Sequence, residues 1–224
     1  MTPDLSPPTP REAVALQREL RSRLVMHPPP EFRPRLVAGA DVSMEKRGDR
    51  AWGGIVVIDI ETMETVEEAS AEVALGFPYI PGLLSFRELP VLAAAWARLR
   101  QRPDVVIFDG AGYAHPRRFG LACHGGVMFG VPSVGCAKTR LVGTCDEPGR
   151  ARGSRAPLLH RGEVVGTVLR TRDGVSPLFV SQGDQMDLDT AAALVLALAV
   201  KYREPETTRR AHALVNRLRR ESGR

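Results

Sequence analysis

Apolar and polar positions change their period several times along the 224 residues, and each change marks a predicted element. Leu16, Leu20 and Leu24 repeat on one helical face after Thr9-Pro10-Arg11-Glu12, a capping box with proline at the first helical position. This predicts a helix to about Met26, ended by His27-Pro28-Pro29-Pro30. Leu36 to Met44, Trp52 to Ile60 and Glu64 to Leu75 read as three strands, with links short enough for antiparallel neighbours. Leu89, Leu92, Trp96 and Leu99 form the inner side of a helix from about Leu83 to Arg100. Val105-Val106-Ile107-Phe108 is a short apolar run bounded by turn residues, which suits a buried parallel strand.

A glycine-rich segment then leads to a short helix near Leu121 to Phe129, and Val131 to Ala137 reads as the next strand. Gly143 to Arg155 reads as a mobile loop, and Leu158 to Thr171 and Pro177 to Ser181 as further strands. Asp187 or Asp189 caps an apolar helix to Lys201, and Pro205 starts a last helix. Three antiparallel strands followed by alternating helices and parallel strands predict a mixed-sheet α/β fold. The expected organisation is one catalytic domain over residues 1–224, with flexible ends at 1–9 and 221–224.

Charge narrows the choice of partner. The formal net charge is +5, nearly all of it from arginine, with lysine only at Lys46, Lys138 and Lys201. A basic balance permits a nucleic-acid partner without proving one. Cys123, Cys136 and Cys145 show no zinc spacing, and an odd cysteine count argues against a disulfide framework, so a reducing cytoplasm is the expected setting. The first ten residues lack the apolar core of a signal peptide, and the run Ala191 to Val200 is too short to span a bilayer. A cytoplasmic monomer without membrane association is expected.

Three carboxylates interrupt this pattern. Asp41 lies in the apolar run Leu36 to Val42, Asp109 ends the run Val105 to Phe108, and Glu88 lies on the helix between them. Each alone is explained by a turn, a solvated helix face or a strand end. Together, on adjacent strands, they converge at one sheet edge and repel, and a divalent cation relieves that repulsion. Oxygen ligands suit Mg²⁺ or Mn²⁺, which support phosphodiester cleavage. Lys138 ends the strand after Asp109 and suits a phosphate contact or an ordinary surface position. His115 is placed to donate to a phosphate or orient water, His124 reads as structural, and His212 reaches the metal edge or faces solvent. Phe77 to Gly82 is a stiff loop, with Pro78 and Pro81 around an aromatic tip at Tyr79.

These segments together are similar to the endonuclease V family of deoxyinosine 3′-endonucleases. The resemblance rests on Val37-Ala38-Gly39-Ala40-Asp41-Val42-Ser43, Pro78-Tyr79-Ile80-Pro81-Gly82 through Phe86-Arg87-Glu88, and Asp109-Gly110. It continues in Ala114-His115-Pro116-Arg117-Arg118-Phe119-Gly120, Gly135-Cys136-Ala137-Lys138 and Gly166 to Arg172. It implies a ribonuclease H-like fold. It also implies Mg²⁺-dependent cleavage of the second phosphodiester 3′ to a deaminated purine, leaving 3′-hydroxyl and 5′-phosphate ends. By the same resemblance Asp41, Glu88 and Asp109 hold the metal with His212 nearby, and Lys138 and His115 are catalytic or phosphate contacts. Tyr79 is the wedge, and Ile80, Pro81, Gly82, Leu84, Arg87 and Gly110 contact DNA and the lesion. Ala111 and Asp184 depart from residues common in the family. The rival readings are an inosine-specific endoribonuclease and a noncatalytic binder of damaged or branched nucleic acid.

Overall fold

Strand β1 (Leu36–Met44) has an antiparallel neighbour on one side and a parallel one on the other, and this placement brings the candidate carboxylates together. The computed structural model describes residues 9–45 and 48–222. Of the ends expected to be flexible, 1–9 and 221–224, residues 1–8 and 223–224 lie outside the described residues, whereas Thr9 caps the first helix and residues 221 and 222 belong to the last one. In chain order the elements are α1 (Pro10–Arg21), β1, β2 (Arg50–Asp59), β3 (Thr65–Ala74), α2 (Leu84–Trp96), β4 (Val105–Phe108), α3 (Leu121–Phe129) and β5 (Ser133–Ala137). β6 (Arg155–His160), β7 (Glu163–Leu169), β8 (Leu178–Gln182), α4 (Leu188–Leu198) and α5 (Glu206–Ser222) complete it.

All strands join one eight-stranded sheet in the order β3-β2-β1-β4-β5-β8-β7-β6. β1, β4 and β5 run parallel, whereas β2 and β3 are antiparallel as expected. The sheet is the mixed, ribonuclease H-like type, with one refinement: β6, β7 and β8 pair antiparallel rather than parallel. The stretch expected as a single strand from Leu158 is a hairpin, because Arg161 and Gly162 both adopt positive φ, 58° and 77°. That is the conformation a two-residue hairpin loop demands.

Side-chain alternation along the strands builds a core on each face. Val37, Val105 and Ile107 pack with Leu194, Val195 and Leu214 of α4 and α5. Ala38, Val106 and Phe108 face the other way, against Leu89, Leu92 and Ala122 of α2 and α3. Full burial of such side chains contributes about 1.5–3 kcal/mol each. Gly39 lets α5 approach: a Cβ there would lie 2.2 Å from the Thr207 carbonyl carbon.

Both early helices end sooner than their apolar repeats. Ser22, Arg23 and Leu24 donate to Glu19, Leu20 and Arg21, and Arg98 and Leu99 donate to Ala95 and Trp96. These three-residue bonds tighten the last turn, so leucines beyond the helix still fall on its apolar side. The loop Gly143 to Arg155 is held rather than loose. Buried Arg170 donates to the carbonyls of Pro148 and Gly149 and pairs with Glu147 at 2.6 Å.

Candidate active site

Parallel pairing of β1 with β4 ends with Ala40 opposite Phe108, so Asp41, within β1, and Asp109, just past β4, come side by side. The Asp109 N–H donates to the Ala40 carbonyl at 3.2 Å, which locks that edge. Helix α5 crosses β1 at Gly39 and brings His212 over the same edge. One ligand atom from each of Asp41, Asp109 and His212 lies within 4.8 Å of the others.

Burial first, and then the Asp109 charge, raises the Asp41 pKa above the ordinary carboxylate value. Hydrogen bonds from His212 and from the Val42 N–H oppose this rise. Glu88 lies on α2 outside that close group. Its pKa is raised well above normal by burial and then by the charges of Asp41 and Asp109, so it feels both. Such repulsion between buried carboxylates is the condition a divalent cation relieves, and the oxygen-rich donor set fits Mg²⁺ or Mn²⁺.

A polar chain fixes the imidazole. The Ser43 hydroxyl donates to Asn216 Oδ1 at 3.3 Å, leaving the Asn216 amide N–H to donate to His212 Nε2 at 2.9 Å. The hydrogen of His212 is thereby directed to Nδ1, which donates to Asp41 Oδ2 at 2.7 Å. Lys138 approaches from β5: its Nζ lies 2.6 Å from Asp109 Oδ2 and 3.1 Å from Glu204 Oε2. Burial depresses the Lys138 pKa, but the bonds and charges of Asp109 and Glu204 outweigh it and the net direction is upward.

Beside this edge lies a cavity of about 100 Å³ lined by residues that include Tyr79, Ile80, Pro81, Gly82, Leu84 and Gly110. Gly110 follows Asp109 directly, and Leu84 lies one helical turn before Glu88, so cavity and carboxylates share two backbone segments. Tyr79 is 67% exposed at the loop tip. Helices α2 and α3 begin at the cavity without side-chain caps. The N–H groups of Gly82, Leu84, Ser85, Ala111 and Leu121 make no hydrogen bond among the described residues.

Two expected site residues face inward. His115 is 3% exposed and lines the cavity. Its pKa is lowered to about 4, by burial first and then by Arg117, so the ring is neutral. Nδ1 accepts the Arg117 N–H at 3.2 Å, which leaves Nε2 to donate to the Gly82 carbonyl at 2.9 Å. Both nitrogens are therefore engaged within the protein rather than turned to a phosphate. Arg87, expected among the DNA contacts, donates to the Phe77 carbonyl at 2.8 Å and to the Met44 sulfur at 3.1 Å, bracing the loop. Buried His124 bonds Ser85 Oγ at 3.0 Å under the start of α2. Of the two departures, Ala111 lines the cavity, and Asp184 accepts the Val25 N–H at 2.9 Å.

Sequence reasoning missed Gln17, Ser85, Leu121 and Leu141 in the cavity wall, and Asn216 and Glu204 behind the carboxylates. Gln17 carried a signal: it is a polar residue in the apolar stripe of Ala13 and Leu20, and it is 1% exposed.

Known proteins resemble the whole arrangement. The family described as Endonuclease V matches residues 18–213. Endonuclease V of Myxococcus xanthus is 63% identical over 215 residues, covering 96% of this chain and 92% of its own length. The crystal structure of Endonuclease V from Streptomyces avermitilis superposes with TM-score 0.93 at 46% identity, covering 98% of this chain and 96% of its own. Endonuclease V of Ciona intestinalis, solved with a 24mer DNA containing an inosine followed by a ribo-adenosine, superposes with TM-score 0.77 at 26% identity. That match covers 94% of this chain and 98% of the other.

Proposed function

Because this chain belongs to the Endonuclease V family, we propose that it is a DNA repair endonuclease that nicks strands carrying deoxyinosine, with Mg²⁺ as its cofactor. The cut falls at the second phosphodiester 3′ to the lesion and leaves 3′-hydroxyl and 5′-phosphate ends. One observation supports this reading above the rest: a donor-lined cavity beside a close acidic cluster. The cavity selects a base, and the cluster serves the backbone next to it.

Hypoxanthine differs from adenine by a carbonyl in place of the exocyclic amine. The free N–H groups of Gly82, Leu84, Ser85, Ala111 and Leu121 suit an acceptor edge of that kind. Tyr79, exposed at the tip of its proline-stiffened loop, stacks in the space that the extruded base vacates, a contact of about 1–3 kcal/mol. Ile80 and Pro81 hold that tip in place.

Asp41 and Asp109 hold the cation, with Glu88 and His212 beside them. When bound, the cation supplies Lewis-acid stabilisation of the phosphate oxygens and a water of lowered pKa. His212 keeps Asp41 oriented through its Nδ1 hydrogen. Lys138 brings a positive charge to the phosphate next to Asp109. His115 fixes the Gly82 turn.

A second reading has a specific observation behind it, the ribonucleotide after inosine in the oligonucleotide bound to the Ciona protein. On that reading the preferred substrate is inosine-containing RNA. Labelled strands of one sequence, with inosine in DNA or in RNA, separate the two. Faster cutting of DNA, mapped to the second phosphodiester with a 5′-phosphate, supports the proposal. Faster cutting of RNA favours the second reading, and no cutting of either sinks both.

A further inference from the structure

The carbonyl of Gly82 lies in the cavity wall and is fully occupied. Gln17 Nε2 donates to it at 3.1 Å, His115 Nε2 at 2.9 Å and an Arg117 terminal nitrogen at 2.6 Å. A carbonyl oxygen has two lone pairs, so three donors exhaust it. The orientation of Gln17 is itself fixed. Its Oε1 accepts Arg117 Nε at 2.6 Å, which turns Nε2 toward Gly82 and toward the Phe119 carbonyl at 3.2 Å. Gln17 thus ties α1, the loop of Tyr79 and the segment before α3 into one hub.

Neighbouring acceptors are also taken. The Ile80 carbonyl receives Leu83 N–H, that of Ala111 receives Ala122 N–H, and that of Gly120 receives His124 N–H. Beside the free donors, these three carbonyls thus carry one donor each, and that of Gly82 carries three. Glycine is required at the centre: Gly82 has φ +80°, and a Cβ there would lie 2.9 Å from the Arg117 guanidinium.

We propose that Gln17 and Arg117, with His115, form a specificity device that withholds the Gly82 carbonyl from the base. This rests on the reading of the cavity as the inosine pocket and deepens it. A purine with a carbonyl at position 6 meets donors. A purine with an amine at position 6 brings donors to a wall whose nearest acceptor is already filled, and its buried N–H goes unpaired. The discrimination against adenine comes as much from this occupied carbonyl as from the free N–H groups. Gln17 and Arg117 are positioning residues, since they act through Gly82.

The test compares nicking and equilibrium binding of single-stranded oligonucleotides carrying one deoxyinosine or one deoxyadenosine, so that base pairing does not enter. Wild type is set against the double variant Gln17→Met/Arg117→Leu, which leaves His115 alone on the carbonyl and opens one lone pair. Arg117→Leu by itself removes a half-buried side chain, one donor and the bond that orients the Gln17 amide, so it reads the same opening if the double variant does not fold. In both, the inosine-to-adenine preference is expected to fall about tenfold or more, the scale of one buried N–H regaining an acceptor. Parallel loss on both bases, with the preference unchanged, shows a merely structural role and overturns it. Failure of wild-type protein to prefer inosine overturns the pocket reading instead.

Discussion

His212 Nδ1 lies 2.7 Å from Asp41 Oδ2, although 171 residues separate them in the chain. The contact exists because glycine at position 39 allows α5 to lie directly on β1. His212→Gln removes an oriented donor but leaves both aspartates. The nicking rate at deoxyinosine is expected to fall about 10- to 100-fold, the usual effect of losing a partner that orients a metal-binding carboxylate. Single-turnover kinetics measure it, and an unchanged rate removes His212 from the site.

Asp41 carries a cost in the cation-free protein. Its pKa is raised by burial and by Asp109, so the folded state holds its proton more tightly than the unfolded chain does. For a raised carboxylate the sign is unfavourable: stability is lost as pH rises from the unfolded value through the folded one. Asp41→Asn is therefore expected to raise the neutral-pH Tm in chelator while abolishing nicking. The scale is roughly 2–4 °C for each kcal/mol relieved. Added Mg²⁺ raises the wild-type Tm and leaves the variant nearly unmoved. Thermal melts with and without Mg²⁺ decide this, and a lower variant Tm in chelator contradicts it.

His115 has the opposite linkage. Its pKa falls from 6.5 to about 4, so the fold prefers the neutral ring. Stability is fully present above pH 6.5 and is lost as pH falls toward 4. The scale is about 3 kcal/mol, because one unit corresponds to about 1.4 kcal/mol. His115→Gln keeps an amide able to donate to Gly82 and does not titrate. Urea titrations at pH 7.5 and pH 5 are expected to show a smaller acid loss in the variant, and equal losses exclude His115 as the source.

Tyr79→Ala leaves stability nearly unchanged, since the side chain is 67% exposed. Binding to a deoxyinosine duplex is expected to weaken about 5- to 150-fold, the range that 1–3 kcal/mol of stacking implies. Binding to the unmodified duplex changes little. Equal loss on both, read by fluorescence anisotropy, argues against a wedge.

Local sequence carried the strands that matter most. Leu36–Met44 and Val105–Phe108 have the predicted bounds, because each is an apolar run with turn residues beside it. The adjacency of Asp41 and Asp109 followed once those two runs were paired in parallel. The β6–β7 hairpin was hidden because arginine, not asparagine or glycine, holds the first positive-φ position at Arg161. The inward turn of His115 and Arg87 was not legible either. It depends on carbonyls of Gly82 and Phe77, and backbone acceptors leave no mark in residue identity. Gln17 showed only as a polar interruption of an apolar stripe, with its partners 65 and 102 residues away.

Cation-dependent cleavage by the Asp41–Asp109 edge beside a recognised deoxyinosine is tested by single-turnover nicking of a duplex with one deoxyinosine, run with Mg²⁺ and with chelator, for wild type and Asp109→Asn. One nick 3′ to the lesion is expected, for wild type in Mg²⁺ alone. Nicking that persists in chelator, or an Asp109→Asn variant that cuts at the wild-type rate, contradicts it.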